Sequence, residues 1–233
     1  GTGGETTYLD WMLSAWGWTL SVSALGLLIA MVLGILMGTL RTLPPDNLIT
    51  RLLATVGNVW VELFRNIPVL VQVFLWYHVL PAIVPVMKGL PSFILVSLAL
   101  GFFTSSRIAE QVRAGIGALP RGQRFAALAM GLTTTQSYRY VILPMALRIV
   151  IPPLTSESMN IIKNSSVAFA VSVADLTLFA MQAQEETSRG IEIYLGVTAL
   201  YVISALVVNR VMALIEARTR VPGFIASANT GGH

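Results

Sequence analysis

The run from Trp16 to Leu40 contains no Asp, Glu, Lys or Arg. About 20 predominantly apolar residues are enough for a helix to cross the hydrocarbon core of a bilayer. A charge-free run of this length is therefore read as a membrane span, and others follow it. The pattern predicts further spans at Val56 to Leu80, with Glu62 and Arg65 in its first half, at Ser92 to Ser106, and at Ile193 to Ile215. A fourth hydrophobic region, Ile149 to Met181, is too long for one plain helix and is interrupted by "SESMNIIKNSS". Charged residues make up 11% of the chain, where soluble domains carry about 25%. The expected fold class is therefore an all-α polytopic membrane protein with five transmembrane helices. Trp11, Trp16 and Trp18 stand where an interfacial aromatic belt would lie, and Pro44 with Pro45 ends the first span in a loop.

Several chemistries are excluded by residue type. The chain has no cysteine, so disulfides, thiolate catalysis and Cys-based metal sites are out, and no metal site is expected. His78 and His233 are the two histidines; His78 stands near a span end, as an interfacial residue would. There is no His-Glu-x-x-His and no Gly-x-Ser-x-Gly, which argues against an intramembrane enzyme. The two lysines, Lys88 in "MKGL" and Lys163 in "IIKNS", do not complete a phosphate-binding loop. Any energy for transport must come from a partner or from an ion gradient. The opening "GTGGETTYLDW" has no basic n-region and does not read as a signal peptide.

Basic residues set the expected orientation. The segment Arg107 to Arg148 holds six arginines and one acid, Glu110. Arg41 and Arg51 fall in the first loop, and Arg218 and Arg220 in the tail. Glu5, Asp10, Lys88, Glu185, Glu186 and Arg189 fall on the other face. The N-terminus is expected outside and the C-terminus inside, with residues 1–220 forming one membrane domain and 221–233 a cytoplasmic tail.

The polar middle reads as two short helices about a turn. Gln123 to Met130 is rich in helix formers, and Gly131 is a natural stop. Thr133 with Gln136 fits a capping box that starts a second helix, and Pro144 marks the junction with the next span. Such a unit either lies on lipid headgroups, arginines toward phosphate, or docks a cytoplasmic partner through an apolar knob with a basic rim.

These residues resemble the cytoplasmic loop of the membrane subunits of ABC-class importers. That loop carries Glu-Ala-Ala, a Gly four residues on, and an apolar-x-Leu-Pro ending. Ala126, Ala127, Gly131, Val141, Leu143 and Pro144 stand at matching spacing, and Phe125 takes the place of the Glu. "ELFRNIPVLVQVF", "SSRIAEQVRAGIGALPRGQ" and "LPMALRIVIPPLTSESMNIIKNSSVA" resemble segments of the polar amino acid permease branch, most like the glutamate/aspartate type. The resemblance implies two ATP-binding subunits, which would hold ATP and Mg, a periplasmic amino acid-binding protein and a second permease. The missing acid at Phe125 favours a heterodimer. It also implies location in a bacterial inner membrane in contact with lipid, no cofactor in this chain and no nucleic acid partner. The loop, residues 121–144, is then the ATPase-coupling element, with Gly122, Phe125, Ala126, Ala127, Gly131, Val141, Leu143 and Pro144 carrying it.

The rival class is an ion-coupled secondary amino acid transporter, since ionisable residues within spans (Glu62, Arg65, Glu157, Lys163, Asp175) are functional suspects. Glu62 and Arg65 are one turn apart and are expected to pair; with Pro68 and Gln72 they are expected to hold the interior and gate geometry. Glu157, Asn160 and Asn164 share a helical face. Lys163, Asn164, Ser165 and Ser166 cluster where the helix is expected to break. A half-helix N-terminus there would suit a substrate carboxylate. Lys163 would neutralise one carboxylate of a dicarboxylic amino acid and Glu157 would receive its ammonium. The alternative is that Glu157 and Lys163 pair with each other.

Overall fold

A computed structural model describes residues 7–219, and every regular element among them is helical. The tail 221–233, with Arg220, His233 and the N-terminal Glu5, lies outside the described residues. Helix α1 spans Tyr8–Leu40. It starts eight residues before the apolar run because Thr7 caps it: the Thr7 hydroxyl accepts from the Asp10 amide and the Asp10 carboxylate accepts from the Thr7 amide.

The expected second span, Val56 to Leu80, is not straight. Helix α2 (Leu48–Asn66) starts at an Asn47–Thr50 capping box and ends at Ile67. Helix α3 (Val69–Phe74) then continues through a π-turn, Leu75–Val79, into α4 (Leu80–Ile83), and the two arms are bent by 105°. Pro68 has no amide hydrogen to offer α2, so the ladder stops there. Among the described residues, four helical runs are long and apolar enough to cross a membrane, and five if this bent pair counts as one span.

Helix α5 spans Ser92–Gly117, well beyond the expected end at Ser106. Arg107, Glu110 and Arg113 are therefore helical and not part of a loop. The loop begins after Gly117, with α6 (Arg121–Ala129), a turn at Gly131 and α7 (Thr134–Ser137). The second short helix does not end at Pro144. It runs through a π-turn, Tyr138–Ile142, into α8 (Leu143–Asn164) and a 3-10 segment, Ser165–Val171. Both π-turns stand directly before a Leu-Pro pair: Leu80 donates to the Leu75 carbonyl and Leu143 to the Tyr138 carbonyl, five residues back. Widening the turn makes room for the ring of Pro81 or Pro144, which would strike the carbonyl four residues earlier in a plain α-helix. After a turn with Ser172 at φ 60°, α9 (Leu176–Thr187) and α10 (Gly190–Thr219) complete the described residues.

The centre of the fold is the α1–α5 pair. Gly26, Ala30, Gly34 and Gly38 make a stripe of small residues at four-residue spacing on α1. Small stripes let membrane helices approach closely enough for dense packing. A Cβ on Gly34 would stand 2.6 Å from Ile108 Cβ, and one on Gly101 2.6 Å from Ile29 Cγ2. Gly34→Leu is expected to disrupt the pair, since overpacking costs about 1–3 kcal/mol where neighbours can shift. A lowered melting temperature and loss of the monodisperse peak in detergent would show it. Trp16 Nε1 donates to Ser204 Oγ at 2.7 Å, tying α1 to α10, and Trp60 Nε1 donates to Ser105 Oγ at 2.9 Å, tying α2 to α5. Trp60 and Trp76 pack with Phe64 and Phe102 as an aromatic group.

Candidate functional site

Helix α6 ends in a Schellman motif. The Gly131 amide donates to the Leu128 carbonyl and the Leu132 amide to the Ala127 carbonyl. Gly131 sits at φ +85°, and no atom lies within 4 Å of where its Cβ would be. The demand for glycine is therefore one of backbone conformation, not of space. Thr133 and Gln136 form the expected capping box. The elbow's outer face is apolar: Phe125 is 67% exposed and Met130 75%. Tyr140 is also exposed, with the Arg139 guanidinium 5.4 Å from its ring centroid. Gly122, Ala126 and Pro144 are exposed and Val141 and Leu143 half-buried. Ala127 differs from the rest at 1% exposure; it lies on the inner side of the elbow, where α6 packs against α7 and the π-turn Tyr138–Ile142.

A second polar group forms where α1, α2 and α5 meet. Arg41 Nη1 lies 2.9 Å from Glu110 Oε1, and Arg41 Nε donates to Asn58 Oδ1 at 2.8 Å. Arg65 reaches Glu62 at 3.2 Å, as expected from the sequence, and also Glu110 at 3.6 Å; Arg113 reaches Glu110 at 3.5 Å. Glu110 is the hub, and its one mark in the sequence is that it stands as the lone acid among six arginines. Gln72 is buried and donates through Nε2 to the carbonyls of Phe64 and Ile67, at 2.9 and 3.1 Å. It caps the end of α2 that Pro68 leaves open.

The third group corrects the sequence reading. Glu157 is buried, but its partners are Arg107 Nε at 2.9 Å and Gln111 Nε2 at 3.1 Å, both on α5. It does not pair with Lys163, and each of its two oxygens already accepts a hydrogen bond from α5. The helix does not break at Lys163 to Ser166 either. These residues are the C-terminal end of α8 and its 3-10 extension, where the dipole is negative, so no anion-binding half-helix N-terminus exists there. The break comes at Ser172 to Asp175. There Asp175 Oδ1 accepts from the Leu178 amide at 2.9 Å and Thr19 Oγ1 accepts from the Leu176 amide at 3.1 Å, so that N-terminus is already capped. Arg107 is half-exposed, Asn160, Asn164 and Ser166 are partly exposed and Lys163 is exposed; Ser165 is buried and bonds back to the Ile162 carbonyl. The exposed or partly exposed polar groups here are Arg107, Asn160, Lys163, Asn164 and Ser166.

A family model described as "Binding-protein-dependent transport system inner membrane component" matches residues 30–221. The chain belongs to this family. Membership makes it the multi-pass inner-membrane part of a transport system whose ATPase and substrate-binding protein are separate subunits. It is 41% identical over 98% of its length to the glutamate/aspartate import permease protein GltJ of Escherichia coli K12, covering 93% of that protein. It is 32% identical to the probable amino-acid ABC transporter permease protein PatM of Vibrio harveyi, over 89% of this chain and 91% of that one. Among solved structures it matches an amino acid ABC transporter crystallised with histidines, at 28% identity and a TM-score of 0.75 over 92% of this chain and all of that one. The inward-facing MetNI methionine transporter shares the fold, with a TM-score of 0.78 at 22% identity over 93% of this chain and all of that one.

Proposed function

We propose that the chain is one half of the membrane pore of an ATP-driven importer of polar amino acids, with glutamate and aspartate as its cargo. The observation that carries the cargo is the 41% identity to GltJ across 98% of the chain. The second half is a similar permease, in a heterodimer, because Phe125 stands where the loop motif has an acid. Of two ATPase subunits, holding ATP and Mg, one docks on the outward face of this chain's elbow 121–144 through Phe125, Ala126 and Met130, and the other on the second permease. A periplasmic amino acid-binding protein delivers substrate to the opposite face. The N-terminus is periplasmic and the C-terminus cytoplasmic, following the arginine bias, and residues 1–220 act as one unit.

The polar face of α5 and α8 lines the passage. Buried Glu157 holds the Arg107 guanidinium by one edge, and its half-exposed remainder is the receptor for a substrate carboxylate, with Asn160, Lys163 and Asn164 beyond it. Arginine suits this because its planar fork binds carboxylates in a fixed geometry. Glu62, Arg65, Pro68 and Gln72 fix the bend that shapes the gate.

Uptake of labelled glutamate and aspartate by the reconstituted complex, with and without ATP, tests the reading. Transport that needs ATP and prefers dicarboxylic amino acids supports it; ATP-independent transport overturns it. Arg107→Lys is expected to lower uptake at least tenfold, roughly 1.4 kcal/mol, while ATP is still hydrolysed when the loaded binding protein docks. Unchanged uptake by that variant would remove Arg107 from the passage.

A further inference from the structure

At the shared end of α1, α5 and α8 lies a cavity of about 400 Å³. Ile116 and Leu119, at the end of α5, and Ile142, before α8, give it an apolar wall. Arg121 and Arg124, on the first turn of α6, give it a basic rim, and no Asp or Glu lines it. Two further features make it receptive. Helix α6 is entered from Pro120 without a side-chain cap, so its positive end is open. The Gln123 carbonyl oxygen, Oε1, is buried at the same place without a hydrogen-bond donor.

We propose that this cavity seats the headgroup of an anionic glycerophospholipid of the phosphatidylglycerol class. The phosphodiester carries one negative charge, which the two guanidinium groups and the open end of α6 receive. Basic pockets between membrane helices bind such headgroups for this reason. Gln123 Oε1, shut behind the cavity wall, lacks a donor, and a turn of its side chain brings it to a hydroxyl of the headgroup glycerol. A choline headgroup has no donor and puts a cation against two arginines; an ethanolamine has donors but the same repulsion. The apolar wall selects a lipid over a free phosphate, because it gives the start of an acyl chain a surface and a bare anion nothing. The position agrees, since the ends of spanning helices lie at headgroup depth. Bound there, the lipid fastens the root of α6 to the ends of α5 and α8. The lipid lies in the inner leaflet if the elbow is cytoplasmic as proposed above, although the cavity's chemistry does not depend on that.

The test uses the assembled transporter in nanodiscs of phosphatidylcholine doped with phosphatidylglycerol, phosphatidylethanolamine or phosphatidylethanol. Native mass spectrometry reads the lipids retained, without reference to uptake or ATPase docking, so its failure is separate from failure of the transport reading. Phosphatidylglycerol is expected to be retained preferentially. Each arginine near an anionic group contributes roughly fivefold, so Arg121→Gln with Arg124→Gln is expected to weaken retention by about 25-fold. Gln123→Leu keeps both arginines and is expected to abolish the preference for phosphatidylglycerol over phosphatidylethanol, which has the same charge and no hydroxyl. Excess inorganic phosphate is expected to displace nothing. The proposal is overturned by equal retention in the double variant, by a preference that survives Gln123→Leu, or by displacement with phosphate, which would make this a site for a soluble anion.

Discussion

Glu110→Ala is expected to destabilise the protein by about 3 kcal/mol, the low end of the range for removing one partner of a buried ion pair. The Arg41 side chain is 9% exposed and its Nη1 rests on Glu110 at 2.9 Å. Without the carboxylate, that guanidinium keeps only Asn58 and stays where little water reaches it. Glu110 is itself 29% exposed, which keeps the loss below the upper end of the range. The same carboxylate also holds Arg65 and Arg113, so its removal releases α1, α2 and α5 from one another at once. Thermal unfolding in detergent measures the effect. Arg113→Ala is the control: it is half-exposed and 3.5 Å from Glu110, and should change stability by less than ~0.5 kcal/mol. Replacing Arg41 and Glu110 together by Met and Leu should restore much of the loss, because the cost lies in leaving one charge unpaired. A Glu110→Ala protein that melts with the parent would show that the cluster contributes nothing.

What could be read from the sequence was whatever is local along the chain. Long apolar runs located the spans, because the bilayer fixes their length. Thr133, Gln136 and Gly131 located the elbow's turn, because capping boxes and left-handed C-termini involve residues a few positions apart. The partners of Glu110 and Glu157 were not legible. Arg41 is 69 residues from Glu110 and Arg107 is 50 from Glu157, so only the packing of α5 against α1 and α8 brings them together. Hydropathy also ran straight across Pro68 and missed a 105° bend. The break expected at Lys163 to Ser166 failed for a different reason. Ser and Asn are poor helix formers when their side chains compete for the backbone, but Ser158 and Ser165 bond back to the carbonyls of Leu154 and Ile162 and stay within the helical run. The real break, at Ser172, is marked by a left-handed residue in a less polar stretch that attracts no notice.

Ala127→Arg and Phe125→Asp are expected to fail in opposite ways, although they stand two residues apart on the same short helix. Ala127 is 1% exposed and its carbonyl accepts the Leu132 amide in the turn that ends α6. An arginine there does not fit the packed inner side of the elbow, so α6 must lift from α7 and the π-turn. The cost is on the order of 3 kcal/mol, from overpacking and an unpaired charge together. Hydrogen exchange should speed up across the amides of Gln123 to Leu132, and ATPase association should fall because the elbow is displaced. Phe125 is 67% exposed, so an aspartate there should leave the same amides protected and stability within ~0.5 kcal/mol. It puts a charge on the apolar face proposed to dock the ATPase, and should lower the ATPase recovered with the permease at least tenfold, about 1.4 kcal/mol. Co-purification and exchange measured on both variants separate the two effects. Parent-like exchange in Ala127→Arg would mean that α6 is not packed on α7 and the π-turn as described. Full ATPase recovery and coupled uptake with Phe125→Asp would mean that the exposed face of the elbow is not where the ATPase docks.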